Sequence, residues 1–520
     1  MVIRSSRQVE PQFRQTGQSR QSGEGEGLQT GISRYDRQEL IRGWDQSALT
    51  NSKLIIVGSG VLANYTALTA AALGFGNIEL FGPGSVDVLD VANSEKDFSK
   101  GFSYFSQGTK VDLIANFVSR INPEVKVTGI NLRLDKSQNL NLISAPSVII
   151  DTTNNPYSKF NLIEYGIRQG IPVVSASCSE TRSKLGVYDP ITQRSSGDQQ
   201  RYLENILFAE FTGQKQSSIL SSVMSALAVE EARKKLMPIN GEKTIEDILI
   251  YNLNSLDRFK SDVDFEFLSE PDDFKDKTVL MVGAGALGNF AGLELALNNI
   301  GKLIMIDDDD IEQTNLNRQV LFYDAVGRLK ATTLAERLQR INPNLEVEIM
   351  SERLTPASEH YFSSGEAFSE LDLMIDTVDN NKARALLNYY STKYGIPLIS
   401  GGTRYNSGQV VVSIPGQTAC LDCKVDIDKL AISAHAPQSC ILAAQPSVIT
   451  SNQIIGGMIV GEARCVLRPD KYGPASNKIL KYISQDDFRI GSLPAAQSCS
   501  CHHNEEKIGS WMEKMAYLYV

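Results

Sequence analysis

Two kinds of chemistry can be read from single residues of this 520-residue chain. Toward the C-terminus, four cysteines fall into two close pairs: Cys420 and Cys423 in ACLDC, and Cys499 and Cys501 in QSCSCHH. Two thiolate pairs brought together make a closed tetrahedral site, which suits structural Zn²⁺. The second pair is spaced CxC rather than CxxC. His502 would restore the two-residue gap from Cys499, so it stands as the substitute ligand, and four unliganded thiols are the plainer alternative. Midway along the chain, VLMVGAGALGN (279 to 289) reads as a buried strand entering a glycine turn. Gly283, Gly285 and Gly288 have the spacing that gives a tight turn, close backbone approach to phosphate and tight packing of the following helix. That turn alone serves NAD as well as ATP, because the free N–H groups of a helix start cradle any polyphosphate.

The residues that follow separate the two. Asp307 ends the next apolar run, where a carboxylate accepts hydrogen bonds from ribose hydroxyls in either case. Arg318 and Lys330 lie just beyond it. Two fixed cations there suit three phosphates and the charge that develops on departing pyrophosphate, whereas a dinucleotide dehydrogenase has no use for them at these spacings. Asp379, in DTVDN, is a hard oxygen ligand suited to Mg²⁺ bridging phosphates. Asp376 reads as a structural strand-end carboxylate and Arg384 as its partner on a helix surface.

These groups need a scaffold, and the sequence contains it twice. LIIVGSGVLANYTALTAAALGFGNIELF at 54 answers VLMVGAGALGNFAGLELALNNIGKLIMI at 279, a separation of 279 − 54 = 225. The match recurs in SRINPEVKV and QRINPNLEV, in VIIDTTNN and LMIDTVDN, in GIPVVSAS and GIPLISGG, and in LAVEEARKKLMP and MIVGEARCVLRP. Each copy alternates short β-branched runs with helical stretches, which predicts a mainly parallel sheet with ligands bound at the carboxyl ends of its strands. The junction is expected near SEPDDFKDK at 269, and residues 1–33, rich in Gln, Ser, Gly and Arg, are expected to be a disordered leader.

MIDDDDIEQTNLNRQVLFYDAVGRLKA followed by IDTVDNNKAR resembles the adenylation domain of the ubiquitin-activating enzymes and their bacterial relatives MoeB and ThiF. The resemblance runs from Tyr35 to about His503. It implies an α/β fold of two tandem Rossmann-like domains of ThiF/MoeB type, joined as a pseudo-dimer, and an ATP-dependent adenylyltransferase. In that reaction the C-terminal carboxylate of a ubiquitin-like or sulfur-carrier protein ending in glycine attacks the α-phosphate of ATP, giving an acyl adenylate and pyrophosphate. It further implies that Asn315 and Gln319 position phosphates beside Arg318. RYDRQELIRGW at 34 is similar to the family's N-terminal segment, whose arginine, here Arg37, crosses to the partner's ATP. Cys440 lies where some relatives place the cysteine that accepts the activated carrier as a thioester or persulfide; a buried packing residue is the other reading.

Counting back 225 from Asp307 gives Gly82, and from Asp379 gives Asn154. The first copy, 34–268, is therefore expected to be catalytically silent and to complete the active copy, 269–503, within one chain. A homodimer is the alternative. Residues 504–520 form an aromatic tail too short for a further catalytic-cysteine or ubiquitin-fold domain. With 42% hydrophobic and 22% charged residues, the chain reads as an ordinary multidomain globular protein. The net charge of -10 disfavours nucleic acid or an anionic membrane as main partner. Without a span-length apolar stretch or a signal peptide, a cytoplasmic location is expected. Two other functions remain open: adenylation of a small peptide's C-terminus, and a nucleotide-binding scaffold or NAD oxidoreductase.

Overall fold

In a computed structural model of the chain, residues 2–3, 32–86, 108–190, 211–264, 274–363, 370–433, 445–485, 489–499, 501, 510 and 513 are described. The two sequence copies fold as two sheets of matching topology. The first contains β1 (Lys53–Val57), β2 (Asn77–Phe81), β3 (Lys126–Ile130), β4 (Val148–Asp151), β5 (Val173–Cys178), β6 (Arg182–Tyr188) and β7 (Leu249–Asn252), in the order 3-2-1-4-5-6-7. The second contains β8 (Thr278–Val282), β9 (Lys302–Ile306), β10 (Glu346–Met350), β11 (Leu373–Asp376), β12 (Leu398–Arg404), β13 (Ser407–Ser413), β14 (Ile479–Ile483) and β15 (Ile490–Leu493), in the order 10-9-8-11-12-13-14-15. The first five strands of each sheet are parallel and the rest antiparallel. The parallel strands are near-continuous apolar runs because both of their faces are covered.

Strand order in the second sheet reverses between β8 and β11, a switch point where loops part and leave a crevice. Register brings the strand ends level: Val282 lies opposite Ile306 on one side and Asp376 on the other. Gly283, Asp307 and Thr377 therefore leave the sheet at one edge.

Within the leader read as disordered, Val2–Ile3 form a short strand parallel to Glu348–Ile349 of β10, whose outer edge offers unpaired backbone groups. No helix among the described residues is long and apolar enough to cross a membrane.

Four helices join the halves: α1 (Val61–Leu73), α2 (Ser218–Leu236), α3 (Ala286–Leu297) and α4 (Ile449–Leu467). Each is buried nearly all round, as expected of helices packed between two sheets. The late helices α2 and α4, already matched in sequence, pack on each other across a pseudo-two-fold, with α1 against α2 and α3 against α4. Gly457 and Gly461 permit the close crossing: a Cβ on either would lie 2.7 Å from the first half, from Val223 or the Tyr251 hydroxyl respectively. Gln453 donates to the Ser222 carbonyl at 2.9 Å and Ser225 Oγ at 2.8 Å, and accepts from Thr69 Oγ1 at 2.6 Å. Two reciprocal ion pairs flank this contact. Arg258 Nε meets Glu462 Oε1 at 2.7 Å, and Arg489 Nε meets Glu231 Oε1 at 3.2 Å, all four side chains being buried. The two arginines and the two glutamates stand at one common offset in the chain, since 489 − 258 = 462 − 231.

Breaking such a pair strands a buried guanidinium. Glu462→Ala is expected to cost about 3–5 kcal/mol of unfolding free energy, read as a fall in denaturant midpoint. A change no larger than that of an exposed Glu→Ala would show that the pair does not hold the halves together.

Candidate active site

At the switch point the glycines serve different ends. Gly283 has φ +99, and a Cβ there would lie 2.8 Å from the Thr377 carbonyl; one on Gly288 would lie 2.2 Å from the Gly283 carbonyl. Both are required by packing. A Cβ on Gly285 would meet only Gln319 Nε2, at 3.9 Å, so this glycine faces open space. Thr377 ties the two loops together, its hydroxyl donating to the Val282 and Gly283 carbonyls at 2.9 and 2.6 Å.

Asp307 leaves β9 beside the turn. One of its oxygens accepts from Ala284 N at 2.6 Å, the other from Asp309 N at 3.0 Å. Burial pushes its carboxyl up, opposed by these N–H groups and by Lys330. Lys330 begins the helix Lys330–Ile341, and its ammonium meets Asp309 Oδ2 at 2.7 Å. Between them, Asn315 closes a short 3₁₀ turn by accepting from Glu312 N at 3.0 Å. Gln319 is buried, and its Oε1 has no hydrogen-bond partner among the described residues. An orphaned amide beside the open glycine is consistent with a polar ligand that completes it.

Arg37 comes from the first half, on the short helix Asp36–Glu39, and its Nη2 lies 4.0 Å from Glu312 Oε2. Arg318 is close by. Burial and the facing Arg37 guanidinium hold Arg318 down to about 10, with Glu312 opposing. Arg37 and Arg318 thus border one short turn, with Glu312 beside Arg37.

Asp379 is exposed on the loop between β11 and the helix Asn381–Tyr394. Arg384, read from the sequence as the partner of Asp376, also shapes that loop: it donates to the Val378 carbonyl at 2.7 Å and Ser400 Oγ at 2.9 Å, and its Nε lies 3.5 Å from Asp376. Burial pushes Asp376 up, while Arg384 and Ser400 oppose. A signal for this role was available. Asp151, Lys159 and Ser175 stand at the repeat offset from Asp376, Arg384 and Ser400 (376 − 151 = 384 − 159 = 400 − 175). They make the same buried triad, with Lys159 Nζ at 2.7 Å from Asp151 and 2.9 Å from Ser175.

In the first half the corresponding crevice satisfies itself. Asn154, in the place of Asp379, spends its side chain on the Cys178 backbone, donating at 2.7 Å and accepting at 3.3 Å. Gln216 Oε1 accepts from Leu62 N at 3.2 Å at the start of α1, and a Cβ on Gly60 would lie 2.6 Å from it. Gly82 offers no ribose carboxylate.

The four cysteines meet. Cys420, Cys423, Cys499 and Cys501 have all their Sγ atoms within 4.8 Å of one another. Cys423 Sγ and Cys501 Sγ are 3.5 Å apart, too far for a disulfide and near the roughly 3.8 Å edge of a zinc–thiolate tetrahedron. The donor set therefore fits structural Zn²⁺. Burial and neighbouring sulfurs push Cys420 up, and burial pushes Cys423 up to about 12. Cys499 is held down despite burial, by the N–H groups of Cys420 and Cys501. His502 and Cys440 lie outside the described residues.

Comparison with known proteins adds the family. The ThiF family description matches residues 35–267 and again 259–502. The chain belongs to the ThiF family. It is 34% identical over 151 residues to Protein HesA of Leptolyngbya boryana, covering 29% of this chain and 52% of that one. It is 32% identical over 150 residues to the sulfur carrier protein ThiS adenylyltransferase of Escherichia coli, covering 28% of this chain and 58% of that one. A crystal structure of E. coli MccB with ATP matches at 24% identity and a TM-score of 0.38, covering 45% of this chain and 69% of that one. The chain thus spans little more than half the length of either curated relative.

Purified protein never exposed to chelator is expected to hold about one zinc per chain, and Cys423→Ser to lose it, by metal analysis. Protein free of zinc from the start would leave the cluster as four thiols.

Proposed function

We propose that the chain is an ATP-dependent adenylyltransferase that activates the C-terminal carboxylate of a ubiquitin-like or sulfur-carrier protein ending in glycine. A carboxylate oxygen attacks the α-phosphorus, the bond from that phosphorus to the bridging oxygen of the β-phosphate breaks, and pyrophosphate leaves with the electron pair. The observation that carries the reading is the docking of Arg37, from one half, against the short turn that leads into Arg318 in the other: Arg37 Nη2 lies 4.0 Å from Glu312 Oε2, and the Arg37 carbonyl accepts from Ser447 N, whose own carbonyl accepts from Asn317 Nδ2. Two cations beside one turn suit a polyanion, and the donors they present would stabilise charge building on the leaving group. Family membership and the ThiS adenylyltransferase relative support the same chemistry.

Within this reading each half has its task. Residues 269–503 form the active domain: Gly285 lets phosphate approach the backbone, Asp307 takes the ribose, and Asn315, Gln319 and Lys330 serve the phosphates. Asp379 is the residue suited to hold Mg²⁺, which neutralises phosphate charge when bound. Residues 34–268 are silent and contribute Arg37. Zinc in the four-cysteine site is structural.

ATP–pyrophosphate exchange is expected to require Mg²⁺ and the carrier, and Asp379→Ala to abolish it; normal exchange in that variant would sink the assignment. Arg37→Ala should lower exchange about a hundredfold, the usual size for one transition-state donor. Its melting temperature should stay level, because no core residue is touched. Lys110→Ala, in the silent half, should remain within about twofold of the unsubstituted protein. Equal damage from Arg37→Ala and Lys110→Ala would mean that the first half binds nucleotide too.

A further inference from the structure

The first half reaches Arg318 by a second route, through side-chain amides rather than charge. Gln38, next to Arg37, is fully buried, as is Asn317, next to Arg318. Asn317 Nδ2 donates to Gln38 Oε1 at 3.0 Å and to the Ser447 carbonyl at 3.3 Å, while Asn317 Oδ1 accepts from Arg318 Nη1 at 2.8 Å. Gln38 Nε2 in turn donates to the Leu73 carbonyl at 3.0 Å and to Gln46 Oε1 at 2.6 Å.

The polarity of this chain of amides is fixed at both ends. A backbone carbonyl can only accept, so the Leu73 carbonyl obliges Gln38 to turn its amide nitrogen inward and its oxygen toward the second half. The Ser447 carbonyl does the same to Asn317, which leaves Asn317 Oδ1 facing the guanidinium. Neither amide can flip without setting acceptor against acceptor in a buried site. Arg318 Nη1 is then held by two acceptors, Asn317 Oδ1 and, at 2.7 Å, the Thr314 carbonyl. Both bonds use Nη1, so Nε and Nη2 remain to face an anion. Ser447 N also donates to the Arg37 carbonyl at 3.2 Å, so one strand of chain steadies both arginines.

The geometry points to Gln38 as a positioning residue: it orients Arg318 across the domain boundary through Asn317, so that the silent half sets the aim of the active half's arginine as well as adding its own. This rests on the reading of Arg318 as a phosphate ligand. Asn317 is the middle of the relay and carries the same role.

Affinity for the Mg²⁺ complex of a non-hydrolysable ATP analogue, measured by calorimetry on the full chain, separates this role from a general effect on folding. Gln38→Met keeps the volume and removes the acceptor. It is expected to weaken binding about tenfold in the unsubstituted chain and less than about twofold when Arg318 is already Ala, because a residue acting only through Arg318 has nothing left to lose. Equal losses in both backgrounds, or none in the first, would overturn the relay while leaving Arg318 a phosphate ligand. If Arg318→Ala by itself leaves affinity unchanged, the relay falls together with the phosphate role of Arg318. Should Gln38→Met fail to fold, Asn317→Ser, smaller and still polar, supplies the same comparison in the same two backgrounds.

Discussion

The arrangement of this molecule depends on two arginines buried across an internal pseudo-two-fold, Arg258 on Glu462 and Arg489 on Glu231. Removing four charges from water is costly, and that cost is offset only when each guanidinium lands on its carboxylate. A helix crossing shifted by one turn would take both guanidinium groups off their carboxylates. The pairs therefore act as a register for α2 and α4, while Gly457 and Gly461 let the helices approach closely enough for the register to be read. Everything that crosses from one half to the other is set by this fit, including Arg37 and Gln38 at the edge of the crevice.

What the two halves share and where they differ follow one physical division. The strand-end triad of carboxylate, cation and serine is kept in both, as Asp151, Lys159 and Ser175 and as Asp376, Arg384 and Ser400, because it satisfies a buried carboxylate that folding itself creates. Groups without such a structural partner differ between the halves. Where the second half has Asp379 exposed, the first turns Asn154 back onto its own backbone; where the second leaves Gly285 facing open space, the first caps its helix with Gln216. Among the described residues of the first half, these side chains are spent on the chain itself.

In the second half, the unfilled valences remain. Arg318 is held near Arg37, and Gln319 keeps a buried oxygen without a partner among the described residues. Both are unfavourable in isolation, and both mark the places where a polyanionic nucleotide would gain the most from binding. Stability given up here is recovered at the interface and in the cores of the two sheets.

By itself the sequence determined the double α/β architecture, the glycine turn, the strand-end carboxylate Asp307 and the two cysteine pairs. These are local: each depends on periodicity or spacing within a short window, and the internal repeat made the topology legible twice. The pairing of Val2–Ile3 with β10 depends on a sheet edge that forms only far along the chain, at Glu348–Ile349. Arg384 was legible as the partner of Asp376, but an isolated cation on a helix gives no sign of the Val378 carbonyl it also holds. Only tertiary structure decided that Gln38 meets Asn317 beside Arg318, and that Glu231 and Glu462 exchange arginines. Those contacts join residues from opposite halves of the chain and arise from the docking of two folded surfaces, and no periodicity within either surface encodes which residue of the other it will meet.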